Sequence, residues 1–154
     1  MASIKAEVTV RPAQDLFGLW GVSNDKTAAK DIPALSAAYH RALHTEAGGV
    51  LPFFVLSRNY VKETGGFELF IGGLAEAPGL ARLGLPAGPY GRVTVRPLLG
   101  LAWGPAIGRA KRYVYTRWLP GQPYRPLNLE FELHTEESVG KRPTVDLLFA
   151  LADG

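Results

Sequence analysis

The stretch LNLEFELHTEE at 127–137 bears on the fold and the function together. Its residues alternate with the period of a β-strand. Leu127, Leu129, Phe131 and Leu133 share one face, and Asn128, Glu130, Glu132 and His134 share the other. On alternation alone, Glu130 and Glu132 lie on a solvated sheet face, countered by nearby Arg or Lys. If that face borders a cavity instead, one strand delivers two carboxylates into it.

The neighbouring segments set the context. On the C-terminal side, ESVGKR joins this strand to PTVDLLFALA, a second strand. On the N-terminal side, GPAIGRAKRYVYTRW reads as a helix, with Pro105 in its first turn and LPGQPYRP as its stop. Trp103, Ile107, Ala110, Val114 and Trp118 form its apolar stripe. YGRVTVRPLLGLAW before it alternates, with Tyr90, Arg92, Thr94 and Arg96 against Gly91, Val93 and Val95. APGLARLGLPAGP is a breaker-rich crossing.

The first half has the same plan. Residues 3–11 alternate (Ile4, Ala6, Val8, Val10) and suggest a strand. LFGLWGVS at 16–23 is a second strand, or a continuation past a bend at Pro12. NDKTAAKD reads as a loop that ends in Asp31 as the N-cap of a helix, with Pro33 in its first turn. Ile32, Leu35, Tyr39, Ala42 and Leu43 form its stripe, and Gly48 and Gly49 end it. VLPFFVLSRNYV and GFELFIGGLAE follow as a hairpin across KETG.

The order β–α–β–β therefore occurs twice. It predicts an α+β fold of two tandem βαββ modules with antiparallel sheets and one helix each. The modules are pseudo-repeats over about 3–76 and 80–151 of a single domain, 1–154. A ligand cleft is expected at their junction.

Composition narrows the function classes. With 47% hydrophobic and 20% charged residues, the chain can bury a core. No run approaches the roughly 18 apolar residues of a membrane span, and the N-terminus lacks an apolar signal segment. The absence of cysteine excludes disulfides and thiolate chemistry and fits a cytoplasmic protein. The net charge of +3 is carried by scattered residues such as Arg82, Arg92, Arg96, Arg117 and Arg125. Only Arg109, Lys111 and Arg112 cluster, and they read as a solvated helix face rather than a nucleic-acid patch. No direct nucleic-acid or membrane contact is expected.

Catalytic and metal motifs are weak. HRALH places His40 and His44 one helical turn apart, but a zincin needs Glu after the first His and Arg41 stands there. Two surface histidines are the expectation, with no metal and no organic cofactor. GLWG, GPAIG and EAGG match no phosphate loop. Ser23, Ser36, Ser57 and Ser138 lack a nucleophile-elbow context. The seven Phe, six Tyr and three Trp are mostly core, but a few at a pocket wall would keep a polar tip available. A carboxylate among such rings needs a partner, and a flat ligand cation is a good one.

IPALSAAYHRAL, GFELFIGG, LPAGPYGRVTV, YVYTRWLPG and FELH occur in that order. Together they resemble the GyrI-like small-molecule-binding domain, which also forms the effector part of some AraC-type and MerR-type multidrug regulators. The resemblance covers about residues 5–150. Its most specific pieces are Trp118-Leu119-Pro120, the pair Phe131-Glu132, and Pro-Ala-Gly-Pro-Tyr at 86–90. It implies two βαββ modules and a central cleft whose glutamate, on the strand after the second helix, meets the cationic or polar part of hydrophobic ligands. The matching residue is Glu132, with Glu130 on the same face as the alternative. The sequence departs from the family pattern at His134, where Tyr is frequent, and at Ser36, where an aromatic is common.

The function the resemblance implies is a stand-alone binding protein for hydrophobic, often cationic, aromatic compounds, such as a drug- or toxin-binding or sensing protein. Glu132 would be central. Trp20, Tyr39, Phe54, Phe70, Tyr90, Trp103 and Trp118 would form the wall. Two alternatives stand beside it. One is a hydrolase of cyclopropane-type DNA-alkylating toxins, with Glu132 as general acid or base. The other is an inhibitor that contacts a protein partner such as a gyrase, or a separate regulator, through Arg109, Lys111 and Arg112.

Overall fold

The computed structural model describes residues 4–45, 51–96, 103–138 and 143–154, except for the side chains at 103 and 137. Among the described residues, eight strands form one antiparallel sheet, and two α-helices lie on one of its faces. The first half runs β1 (Ala6–Arg11), β2 (Gln14–Asn24), α1 (Ala28–Ala42), β3 (Phe53–Val61) and β4 (Gly66–Gly73). The second runs β5 (Ala81–Leu85), β6 (Gly88–Val95), α2 (Trp103–Tyr113), β7 (Tyr124–His134) and β8 (Val145–Asp153). Each half contains the expected βαββ unit and one further strand, β1 or β5. The stretches before and after Pro12 are thus separate strands, β1 and β2. The crossing at 77–89 holds β5, hidden in the sequence because only Leu83 and Leu85 carry its alternation.

The strand order is β1-β6-β8-β7-β3-β4-β2-β5. Exchanging the halves reverses this order onto itself, so the central pair β3–β7 marks a pseudo-twofold axis. The two modules merge across that pair, where Val55 lies opposite Glu132 and Ser57 opposite Glu130.

Two short connections bend the sheet. β1 is at one edge and β2 is second from the other, yet only Pro12 and Ala13 separate them. Three peptide steps reach at most about 11 Å, so the two ends of the sheet must approach one another. Pro86 and Ala87 impose the same constraint between β5 and β6. The sheet rolls around the face opposite the helices. Inside the roll, Leu83 and Leu85 of β5 join Leu16, Phe70, Leu56, Phe131 and Leu148 in one buried cluster that ends at Tyr90 of β6. Each such side chain contributes about 1.5–3 kcal/mol by leaving water.

The helices cover the outer strands and leave the middle open. Leu35, Tyr39 and Leu43 of α1 pack on Leu19, Leu69 and Ile71 of β2 and β4. Ile107, Ala110 and Val114 pack on Val93, Val95, Leu147 and Phe149 of β6 and β8. Both stripes agree with the helical spacing in the sequence; the side chain of Trp103 lies outside the described residues. No described helix is long and apolar enough to cross a membrane.

Three local details differ from the sequence reading. α1 begins after Thr27, because Ala28 and Ala29 extend it backwards. Asp31 is therefore inside the first turn rather than at the cap. There it accepts hydrogen bonds from Thr27 Oγ1 at 2.6 Å and Ser23 Oγ at 2.7 Å, which hold its carboxyl below the usual range. Pro33 stands within the helix. α1 also ends earlier, with His44 in the left-handed region at φ 55°; Gly48 and Gly49 lie outside the described residues. Finally, His40 is not a surface histidine. It is buried, with Nδ1 2.7 Å from the Ser36 carbonyl oxygen, while His44 is exposed.

Candidate ligand cleft

The central strands β3 and β7 form the floor of a cavity of about 840 Å³ between α1 and α2. Ala28, Ala29 and Ile32 of α1 form one wall. Gly104, Ile107, Gly108, Lys111 and Arg112 of α2 form the other. A Cβ on Gly104 or Gly108 would meet nothing within 4 Å, so these glycines keep that wall recessed. Such a volume suits a drug-sized molecule.

Both glutamates face this cleft. Glu130 and Glu132 line it, with side-chain exposures of 18% and 15%. Alternation puts Phe131 into the core between them, 2% exposed. The solvated-face reading of the strand therefore does not hold. Its apolar half is sealed by the roll of the sheet, and its acidic half opens between the helices.

The two acids have different surroundings. Both oxygens of Glu130 are engaged. Tyr115 donates its phenol to Oε1 at 2.8 Å, and Lys111 Nζ forms an ion pair with Oε2 at 2.8 Å. Burial opposes the Lys111 charge, but Glu130, with Glu132 and Asp25, outweighs it and holds Lys111 above the usual lysine range. Burial and the Glu130 charge push the Tyr115 phenol up, so it stays a donor at neutral pH. Glu132 meets only His134 among the described residues, with Nε2 3.1 Å from Oε1. It forms no ion pair with a lysine or arginine among the described residues, although the Lys111 charge is close enough to feel it.

Tyr115 belongs to a π-helical turn, Val114–Trp118, that follows α2. Such turns are rare and re-aim side chains. Here the turn carries Val114 to the core and Tyr115 to Glu130. Near the opposite end of the floor, Asn128 adopts φ 55° at a bulge in β7 and clamps β3. Its side chain accepts from the Tyr60 N–H at 2.8 Å and donates to the Tyr60 carbonyl at 3.1 Å. Tyr60 in turn donates its hydroxyl to Asp25 at 2.6 Å. Asp25, Tyr60, Phe67 and Asn128 all line the cleft, so its rim adds a third carboxylate and two rings.

Apart from Trp103, whose side chain lies outside the described residues, the expected wall aromatics are placed elsewhere. Trp20, Phe54, Phe70 and Tyr90 belong to the cluster inside the roll. Trp20 packs edge-on against Phe70, with the Arg58 guanidinium 4.2 Å above its ring. Trp118 packs on the α2 side and occupies the space a Cβ on Gly91 would need. Tyr39 is wedged, fully buried, between α1 and the sheet. Among the described residues, the rings that line the cleft are Tyr60, Phe67 and Tyr115. A second stripe on α2 signalled its wall: Gly104, Gly108, Lys111 and Tyr115 recur at spacings of four, three and four beside the apolar stripe. Lys111 therefore faces the cavity, while Arg112 lines it and stays exposed.

The Tyr39 hydroxyl is buried without a hydrogen-bond partner among the described residues. Tyr39→Phe is expected to leave thermal stability unchanged or raise it by up to about 1 kcal/mol, because it removes an unpaired polar group. It should leave cation affinity at the cleft untouched. A fall in melting temperature would show that the hydroxyl has a partner.

No family model matches the chain, and no curated protein matches it in sequence. Solved structures do match in fold. SAV2435, solved bound to tetraphenylphosphonium, has a TM-score of 0.69 at 10% identity over 96% of this chain and 94% of its own. An integron cassette protein of Vibrio cholerae has a TM-score of 0.65 at 13% identity over 96% and 95%. The EcmrR C-terminal domain has a TM-score of 0.63 at 13% identity over 98% and 99%. At these identities the likeness establishes fold, and this chain has the α+β architecture of SAV2435 and the EcmrR C-terminal domain, one that fits the GyrI-like fold.

Proposed function

We propose that the chain is a single domain that binds hydrophobic, cationic aromatic small molecules in the cleft between α1 and α2, with Glu132 as counter-ion. The observation that carries this reading is Glu132, 15% exposed and in no ion pair with a lysine or arginine among the described residues, in a cavity lined in large part by apolar and aromatic side chains. A carboxylate shielded from water is costly unless a cation pairs with it. A cation that enters the cleft gains that pairing and loses its hydration against the rings of Tyr60, Phe67 and Tyr115. Each ring contributes about 0.5–2 kcal/mol. Asp25 at the rim adds to the field that attracts positive ligands. SAV2435, of the same fold, was solved with tetraphenylphosphonium, and this supports the choice of ligand class.

A pair of ions with the same shape and opposite charge tests the reading. Tetraphenylphosphonium is expected to bind with a dissociation constant in the micromolar range by calorimetry, and tetraphenylborate at least about tenfold more weakly. Equal affinities would reduce the cleft to a hydrophobic hole and sink the role of the acid.

A further inference from the structure

Lys111 is a side chain of the protein that already occupies one of the two acidic positions on the cleft floor. Its Nζ lies 2.8 Å from Glu130, whose other oxygen is held by Tyr115 at 2.8 Å. Glu130 and Glu132 are two positions apart on one strand face, so their side chains leave the backbone about 6.5–7 Å apart. Without Lys111, the floor would present two negative centres at that spacing. With it, the floor presents one.

We propose that Lys111 is a tethered counter-ion that sets the charge selectivity of the cleft, restricting it to ligands with a single positive centre and excluding dications. The inference rests on the proposed cation-binding function and adds to it the class of cation accepted. A dication that reaches Glu132 with one centre brings its second centre to the Lys111 ammonium and must displace it from Glu130. Displacement costs the Lys111–Glu130 pair and places like charges together. A monocation leaves that pair intact.

Ethidium and propidium test this, because they share one ring system and differ in a second, quaternary centre on a short arm. In the wild-type chain, ethidium is expected to bind at least as tightly as propidium. In Lys111→Met, Glu130 loses its internal partner and propidium is expected to gain about tenfold or more, the scale of one charge-assisted contact. Ethidium should change by less than about threefold, since its partner Glu132 is unaltered. Lys111→Gln, which keeps a donor beside Glu130, should give the same reversal and guards against a folding defect. In Lys111→Met with Glu130→Gln, the propidium gain should disappear, a result that mere loosening of the helix would not produce. An unchanged ratio of the two affinities in both Lys111 variants, with ethidium still bound, overturns the inference and leaves the proposed function standing. Failure of both dyes to bind the wild-type chain overturns both.

Discussion

Glu132→Gln is expected to weaken tetraphenylphosphonium binding by about 5- to 150-fold, which corresponds to the roughly 1–3 kcal/mol of a lost charged contact. The substitution keeps shape and hydrogen-bonding capacity, and the amide can still meet His134. What it removes is the negative charge in the floor that forms no ion pair with a lysine or arginine among the described residues. Glu130→Gln should act less on a monocation, because Lys111 already neutralises that acid. It should, however, loosen Lys111 and Tyr115, which would lose their anionic partner. Calorimetric titration of both variants beside the wild type separates the two acids. A large loss in Glu130→Gln and none in Glu132→Gln would move the counter-ion one position pair along β7.

The uneven legibility of this site has a physical cause. Alternation in LNLEFELHTEE correctly groups Glu130 with Glu132 and Leu129 with Phe131, because strand geometry alone fixes which residues share a face. The helix stripes of α1 and α2 were equally legible for the same local reason. Alternation does not say which face of a sheet is closed. That depends on the two-residue links at Pro12-Ala13 and Pro86-Ala87, which roll the sheet only because their strands are far apart in its order. Phe54, Phe70 and Tyr90 look like pocket rings in the sequence and become core rings once the roll closes over them. The rim rings differ in this respect. Tyr60 is set by the Asn128 clamp from β7, a non-local contact, whereas Tyr115 continues the Gly104-Gly108-Lys111 stripe of α2 and was overshadowed there by the apolar stripe. Sequence proximity groups Lys111 with Arg109 and Arg112, although the helix turns it toward Glu130.

Gly18→Ala is expected to destabilise the fold by about 3 kcal/mol or more, the upper range for forced overpacking. Gly18 sits in β2 with β4 on one side and β5 on the other, opposite Gly72 and Ala81. A Cβ there would lie 2.0 Å from the Ile71 carbonyl oxygen and 2.6 Å from the Gly72 Cα. Both are backbone atoms, so no rotamer change relieves the clash, and the β2–β4 pairing itself must move. That pairing carries Leu19 and Ile71, against which α1 packs, so the α1 wall of the cleft is anchored through this contact. The melting temperature should fall by about 6–12 °C, given about 2–4 °C per kcal/mol at this chain length. Gly108→Ala provides the opposite sign. Gly108 is in α2, and its Cβ would meet nothing within 4 Å, so alanine should stabilise by about 1 kcal/mol through helix propensity alone. If Gly18→Ala melted with the wild type, β2 and β4 could not approach as closely as their paired glycines allow, and the anchoring of α1 would need another explanation.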